Sequence, residues 1–251
     1  MCNKSCFARK ISVIIAVSVN LLLLVACTNP VVTAVEESDL KSVTSLLDQG
    51  GDVNTRNNIG DPVLSVAIRL NKIDIAKLLL DRGADVTAFG QPGVTPLMHA
   101  VSGGYVELAD TMIRRGADVA ARDNIQNTAL ILLPEEDNPE IVKLLLDNGA
   151  DVNAANKHGV TSIMVASYVG HEKIVEYLIQ NGADINAQAS DGQTALMRAA
   201  RQGHVNVVTL LIENGADVTI ENNERETALS WAIKKERNEI VNLLRQAGAR
   251  E

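Results

Sequence analysis

The chain has 251 residues, 46% of them hydrophobic but only 2% aromatic, with 23 basic and 31 acidic side chains and a formal net charge of −8. That balance excludes the basic footprint of a nucleic-acid binder. Three cysteines and few rings leave stability to a core of aliphatic side chains.

The chain opens with Lys4, Arg9 and Lys10 and has no acidic residue before Ala26, while an apolar run extends from Ile11 to Val25. A basic start ahead of such a run is the pattern of a signal peptide. As a helix the run would cover roughly 22 Å, short against a hydrocarbon core of about 30 Å. It closes on Leu24, Val25, Ala26 and Cys27. An aliphatic residue, a tolerant position, a small residue and a cysteine in that order resemble the lipobox of bacterial lipoproteins. The resemblance implies diacylglycerol on Cys27, cleavage before it and acylation of the new amino terminus. Residues 1–26 would then be a removed signal peptide and residues 27–29 a lipidated terminus and short linker. An ordinary signal peptide with Cys27 beside the cut, or a retained transmembrane anchor, are the alternatives. Two or more acyl chains hold a protein stably, at about 0.8 kcal/mol per buried CH₂. Thr28 stands where lipoproteins kept on the inner membrane tend to carry Asp, so the resemblance implies the periplasmic face of an outer membrane. Loss of the leader removes Cys2, Cys6 and three of the 23 cations, leaving 20 basic against 31 acidic residues, a formal −11, and no disulfide.

From residue 30 to 251 the text repeats. Glycines recur at one constant interval, at Gly50, Gly83, Gly116, Gly149, Gly182, Gly215 and Gly248, most of them opening "GAD". A second marker recurs in step at Thr95, Thr128, Thr161, Thr194 and Thr227, with Pro62 in the equivalent earlier place. Each repeat reads as two helices and a turn. The Thr hydroxyl suits an N-cap, and Pro96 suits the first helical position, where no amide is needed. After a break such as "RQGH", the apolar stripe Val207, Val208, Leu210, Leu211 and Ile212 has helical spacing. The period glycine then fits a left-handed helix end. Short polar text such as "AQASDG" reads as a protruding hairpin loop.

"GxTPLxxA", "GHxxIVxxLIxxGAD" and "VNA" on this fixed period resemble the ankyrin repeat, from about Pro30 to Arg250. The expected fold is all-α, a solenoid of about seven helix pairs with short hairpin loops, and end repeats with altered text are normal for such stacks. The fourth repeat departs from the pattern: in "TALILLPEEDNPE" Leu133 takes the place of a small residue and Pro134 follows inside the first helix. The expectation is a helix cut short or kinked at Pro134, with Glu135 to Pro139 irregular.

Catalytic text is missing: there is no GxSxG, GxxxxGK[ST], HExxH or CxxC, so neither an enzyme, a cofactor nor a metal is expected. His171 and His204 share one place at the start of second helices and read as structural hydrogen-bonding residues, with stacked metal ligands as the other reading. His99 faces the groove or fills a contact. Asp85, Asp118, Asp151, Asp184 and Asp217 of "GAD" are expected to bond local amides in the turn. Asp123, Glu135, Glu136, Asp137 and Glu140 concentrate in the irregular repeat, either as a solvated face or as an acidic docking patch. Arg198, Arg201, Lys234, Lys235 and Arg237 reverse the sign later in the chain, and separated signs orient a partner.

In ankyrin-like stacks the hairpin tips and first helices make a concave surface, and resemblance implies that a protein partner binds there. The residues so placed are Arg56, Asn58, Ile59 and Arg69; Phe89, Gln91 and Ser102; Arg122, Asn124, Ile125 and Glu135; Lys157, His158 and Tyr168; Ser190, Asp191 and Arg201; Asn223, Glu224, Trp231 and Lys234. They vary between repeats while the scaffold does not. Phe89, Tyr168 and Trp231 are the expected anchors, with packing inside the stack as the alternative for the last two. The reading is a monomeric, lipid-anchored module that binds another protein of the cell envelope. An immunity-type inhibitor of a toxin is a narrower form, and a small-ligand binder or enzyme with a site between hairpins is the contrasting class.

Overall fold

Each repeat ends on a glycine whose φ lies between 84° and 97°: Gly50, Gly83, Gly116, Gly149, Gly182, Gly215 and Gly248. A Cβ at any of the seven would meet nothing within 4 Å. Backbone conformation, not space, therefore selects glycine there. The following amide bonds back across the last turn, Ala183 N to Leu178 O at 3.0 Å and Ala216 N to Leu211 O at 2.9 Å, which satisfies carbonyls the helix leaves open and turns the chain away.

The structure is a computed structural model and describes residues 29–250. The signal-peptide segment 1–26 and the lipidation site Cys27 lie outside the described residues. Two compact blocks divide between Ala84 and Asp85. In the first, α1 (Pro30–Glu36) pairs with α2 (Leu40–Asp48) and α3 (Val63–Arg69) with α4 (Ile73–Asp81), and α1 packs on α3. Asn29, read from sequence as linker, is the N-cap of α1: its side chain accepts the Val31 amide at 2.9 Å, and Pro30 follows at the first helical position.

The second block carries α5 (Pro96–Ser102), α6 (Val106–Arg114), a 3₁₀ turn at Ala129–Ile131, α7 (Pro139–Asp147), α8 (Ser162–Val169), α9 (Glu172–Gln180), α10 (Ala195–Gln202), α11 (Val205–Glu213), α12 (Ala228–Lys234) and α13 (Asn238–Gln246). First elements stack on first elements and second helices on second helices, α10 between α8 and α12, α9 between α7 and α11. Leu97, Met98, Leu108, Met112, Leu130, Ile141, Leu145 and Ile163 are completely buried between them. This is the thin aliphatic core that the composition required. Among the described residues no strand forms, two isolated bridges (Arg56–Pro62 and Ala155–Thr161) close hairpin loops, and no helix is long and apolar enough to cross a membrane.

The Thr marker caps as expected at three positions. Thr95, Thr194 and Thr227 accept the amide three residues on, at 3.2, 3.3 and 3.2 Å. At Thr128 and Thr161 the hydroxyl is buried and makes no such bond. All five "GAD" aspartates accept the amide two residues on at 2.8–3.0 Å, as Asp118 does from Ala120 and Asp184 from Asn186.

The fourth repeat breaks where expected. Its first helix is only the 3₁₀ turn, and the chain is irregular from Leu132 to Asn138; Pro139 instead opens α7, because a proline at the first helical position costs no hydrogen bond. The break is bonded to its neighbour. Pro134 O lies 3.0 Å from His171 Nε2, and the Asp137 carboxylate accepts the amides of Lys173 at 2.9 Å and Ile174 at 3.0 Å at the start of α9. A carbonyl only accepts, so His171 must carry its proton on Nε2. His204 does the same one repeat later, its Nε2 3.0 Å from Tyr168 O. Both histidines are thus hydrogen-bonding residues between repeats.

Candidate partner-binding face

A hairpin tip that projects past the helices can offer side chains to a partner or spend them on the next tip. In the second block the tips are stitched together through the backbone. Asn124 N donates to Pro92 O at 3.0 Å, Lys157 N to Ile125 O at 3.0 Å, Ser190 N to His158 O at 2.8 Å and Asn223 N to Asp191 O at 3.1 Å. Side chains join in: Asn156 Nδ2 donates to Asn127 Oδ1 at 2.9 Å, and Gln188 Nε2 to Gly192 O at 3.0 Å and Glu221 O of the following tip at 3.2 Å. Arg122 Nη1 reaches Gln126 O at 3.0 Å and Ala155 O of the following tip at 2.9 Å, and Asn223 Nδ2 reaches Ser190 O at 2.9 Å. The tips therefore hold a fixed register, and Arg122 and Asn223 contribute donors to it. Gln91, Asn124, Ile125, Lys157, His158, Ser190, Asp191 and Glu224 keep their side chains at the exposed edge, and Phe89 is 52% exposed. In the first block, Ile59 is 63% exposed on its hairpin, Arg56 Nη1 donates to Gly60 O at 2.6 Å, and Arg69 at the end of α3 lies 3.7 Å from the buried Asp61 carboxylate.

The first helices place side chains by register. Positions one period apart come into line, so Tyr168, Arg201 and Lys234 form one column and Val165, Arg198 and Trp231 a second beside it. Glu135 is exposed at a polar notch of about 370 Å³ left by the missing helical turn, with Ser102, Gly104, Tyr105, Pro134 and Asn138 around it. Asp123 and Asp137 are not part of an exposed acidic face: Asp123 is buried and bonds Asn127, and Asp137 caps α9. That leaves Glu135, Glu136 and Glu140 exposed there.

Aromatic rings and cations meet on α8, α10 and α12. The Trp231 ring is half-buried, with the Arg201 guanidinium carbon 4.6 Å from its centroid and Lys234 Nζ at 4.8 Å. Lys234 also bonds Glu226 at 3.2 Å. The Asn222 amide bonded to Glu226, with Lys234 beside it, holds the Glu226 carboxyl below its usual range. Tyr168, 48% exposed, completes the row. Arg198, which lies one repeat before Trp231, was read from the sequence as one of the later cations but not as one of the concave-face residues. Burial pulls its proton affinity down, opposed by Asp191 and reinforced by Arg201. Its place one full period before Trp231 was the signal that could have found it.

Two donors on this face are unusual. Arg198 Nε and Trp231 Nε1 are both buried and have no hydrogen-bond partner. A buried donor without an acceptor costs about 1–3 kcal/mol, whereas most such groups in folded proteins are paired. Nothing in this arrangement resembles a nucleophile with a base, and among the described residues no group of three or more His, Cys, Asp and Glu could hold a metal ion. What the face can do chemically is accept a side chain, through ring area, cations and unpaired donors.

Compared with known families, the chain matches a model of ankyrin repeats (three copies) over residues 31–123, 97–189 and 164–250. Comparison with curated proteins returns no match.

Proposed function

Since the chain belongs to the ankyrin-repeat family, a protein–protein interaction module, we propose that it is a non-catalytic binding module held by lipid at Cys27 on the periplasmic face of a bacterial membrane, outer rather than inner, where it docks a protein of the cell envelope. The observation that carries the docking surface is the row of Tyr168, Arg201, Trp231 and Lys234 on α8, α10 and α12, with two cations against a half-buried ring. Half-buried aromatic and Arg side chains supply most of the energy at interface centres.

The anchor reading rests on the Leu24–Cys27 text. With Asn29 already capping α1, a lipid on Cys27 would stand only two residues from the first helix, a reach of about 7 Å for extended chain. The module would lie close against its membrane, not on a long tether. Palmitate labelling of cells expressing the chain and its Cys27→Ala variant tests this: label on the wild type alone supports it, and equal label on both refutes it. For the docking face, a pull-down from solubilised membranes should recover a protein with the wild type that Tyr168→Ala and Trp231→Ala recover less. Equal recovery would remove the assignment.

A further inference from the structure

The chemistry of this face narrows what it takes. We propose that α10 and α12 receive the side-chain carboxylate of an Asp or Glu on an extended segment of the partner protein, an inference that rests on the reading that this face docks protein. Arg198 Nε and Trp231 Nε1 are donors without acceptors, on adjacent repeats and in the same register column. Both atoms are covered by surrounding side chains, so a partner reaches them only as those side chains give way, and an apolar or cationic group that did so would leave both unpaired under the interface. The cations are Arg198, Arg201 and Lys234. Lys234 is tied to Glu226, but contact with a ring leaves the in-plane N–H fork of a guanidinium such as Arg201 able to hold a carboxylate.

Local charge separates this occupant from the other polyanions. Asp191 acts on Arg198, and Glu226 on both Lys234 and Arg201, so among these five groups the cations outnumber the carboxylates by one. One side-chain carboxylate matches that surplus. A nucleic-acid backbone does not, because its affinity grows with the number of phosphates neutralised, and the chain as a whole carries −8. The columns also set a direction. The fourth repeat, next to α8, carries the exposed Glu135, Glu136 and Glu140, which repel an anion, so the acidic residue of the segment lies over α10 and α12 and neutral or basic residues run toward the fourth repeat. Half-buried Val165 and the Tyr168 ring offer apolar contact to the residue in between.

Trp231 is the single tryptophan of the chain, so its emission reports on this site. The purified full chain would be titrated with a short capped peptide of alternating Glu and Leu, with the same peptide carrying Gln for Glu, and separately with inorganic phosphate and a single-stranded oligonucleotide. The Glu peptide should change the Trp231 emission with an affinity about tenfold or more above the Gln peptide, as loss of charged hydrogen bonds implies, and added salt should weaken it. Arg201→Gln should weaken the Glu peptide about tenfold. Arg198→Lys, which keeps charge and bulk and so the fold, should weaken it severalfold through loss of the Nε donor; far-UV circular dichroism confirms that each variant is folded. Equal binding of Glu and Gln peptides, tighter binding of phosphate or oligonucleotide, or variants that bind the Glu peptide as the wild type does would each overturn the assignment. If Glu and Gln peptides bind alike while Tyr168→Ala and Trp231→Ala still lose the membrane partner, the docking face stands and the carboxylate falls.

Discussion

Asp137 offers the sharpest check on how the broken fourth repeat is held. α9 begins at Glu172, and the amides of its first turn have no carbonyl partner within the helix. His171, in the N-cap place, gives no side-chain cap because its ring reaches Pro134 O instead. The Asp137 carboxylate does that work from the preceding repeat, taking Lys173 N at 2.9 Å and Ile174 N at 3.0 Å. Replacing an N-cap by Ala typically costs about 1 kcal/mol, within a range of about 0.5–2. Here two amides are served by a charged group next to a helix N-terminus, which strengthens the bonds, while solvent reaches the Lys173 amide, which weakens the loss. Asp137→Ala should therefore cost about 1–2 kcal/mol, and Asp137→Asn, with one oxygen in place of two, about half as much. Urea unfolding measures the total. Hydrogen exchange locates it, since the amides of Lys173 and Ile174 should lose protection by a factor of about 5–30 while those of α5 change little. Repeats couple only to their neighbours, so the effect stays local. If Asp137→Ala leaves both urea unfolding and exchange in α9 unchanged but lowers partner binding, the carboxylate is a docking group and the capping argument is wrong.

Three further outcomes follow from the same bonds. His171→Ala should cost about 2–3 kcal/mol and His204→Ala about 1 kcal/mol or less, because His171 is 5% exposed and strands a buried carbonyl whereas water reaches Tyr168 O; equal losses in urea unfolding would contradict this, and long-range ¹H–¹⁵N spectra should show the Nε2–H tautomer at both rings. Gly182→Ala, with φ 84° and open space, should cost about 1–2 kcal/mol; Gly170→Ala should cost about 1 kcal/mol more, since its Cβ would stand 2.5 Å from His204 Nδ1 and displace the ring from Tyr168 O. Asp217 is held below its ordinary value of 3.8, first by the Thr219 hydroxyl and then by the Thr219 amide. Its contribution is therefore fully present above that value and is lost as pH falls through the lowered one. Asp217→Asn keeps an acceptor but not the titration, so it should flatten the acid limb of stability against pH, and an unchanged limb would rule the linkage out.

The fold was legible because it is written many times over. A glycine at a constant interval, a Thr marker and an apolar stripe at helical spacing each stand for a local requirement, and φ near 90° at all seven glycines is that requirement met. Pro134 was legible for the opposite reason, as a residue whose missing amide forbids the pattern. What could not be read is where a polar side chain finds its partner one repeat away. Asp137 looked like surface charge, yet it bonds amides 36 and 37 positions on. Arg122 and Asn223 looked free, yet they reach carbonyls of neighbouring tips. Asn29 looked like linker because nothing before Pro30 marks the helix start except the capping propensity of Asn itself. Arg198 was legible as a cation but not as part of the face, for it is half-buried beside Arg201 at a position defined only by its distance from Trp231.

These interrepeat bonds bear on where docking can be tight. Asn153 takes the Asp184 amide at 2.8 Å and donates to Gly182 O at 3.1 Å; one repeat on, Asn186 takes the Asp217 amide at 2.8 Å and donates to Gly215 O at 3.2 Å. The equivalent positions Thr87, Ala120 and Thr219 lack a carboxamide and make no such bridge, with Thr87 and Thr219 turning instead to their own Asp at 2.7–2.8 Å. These side-chain bridges join the turns that follow α7, α9 and α11, in the same loops that go on to form the hairpin tips. Affinity is limited by the freedom a surface must give up on binding. A face whose repeats are already locked in register by tip-to-tip bonds and by Asn bridges in the same loops gives up little. The covered donors of Arg198 and Trp231 lie within that bonded part of the stack.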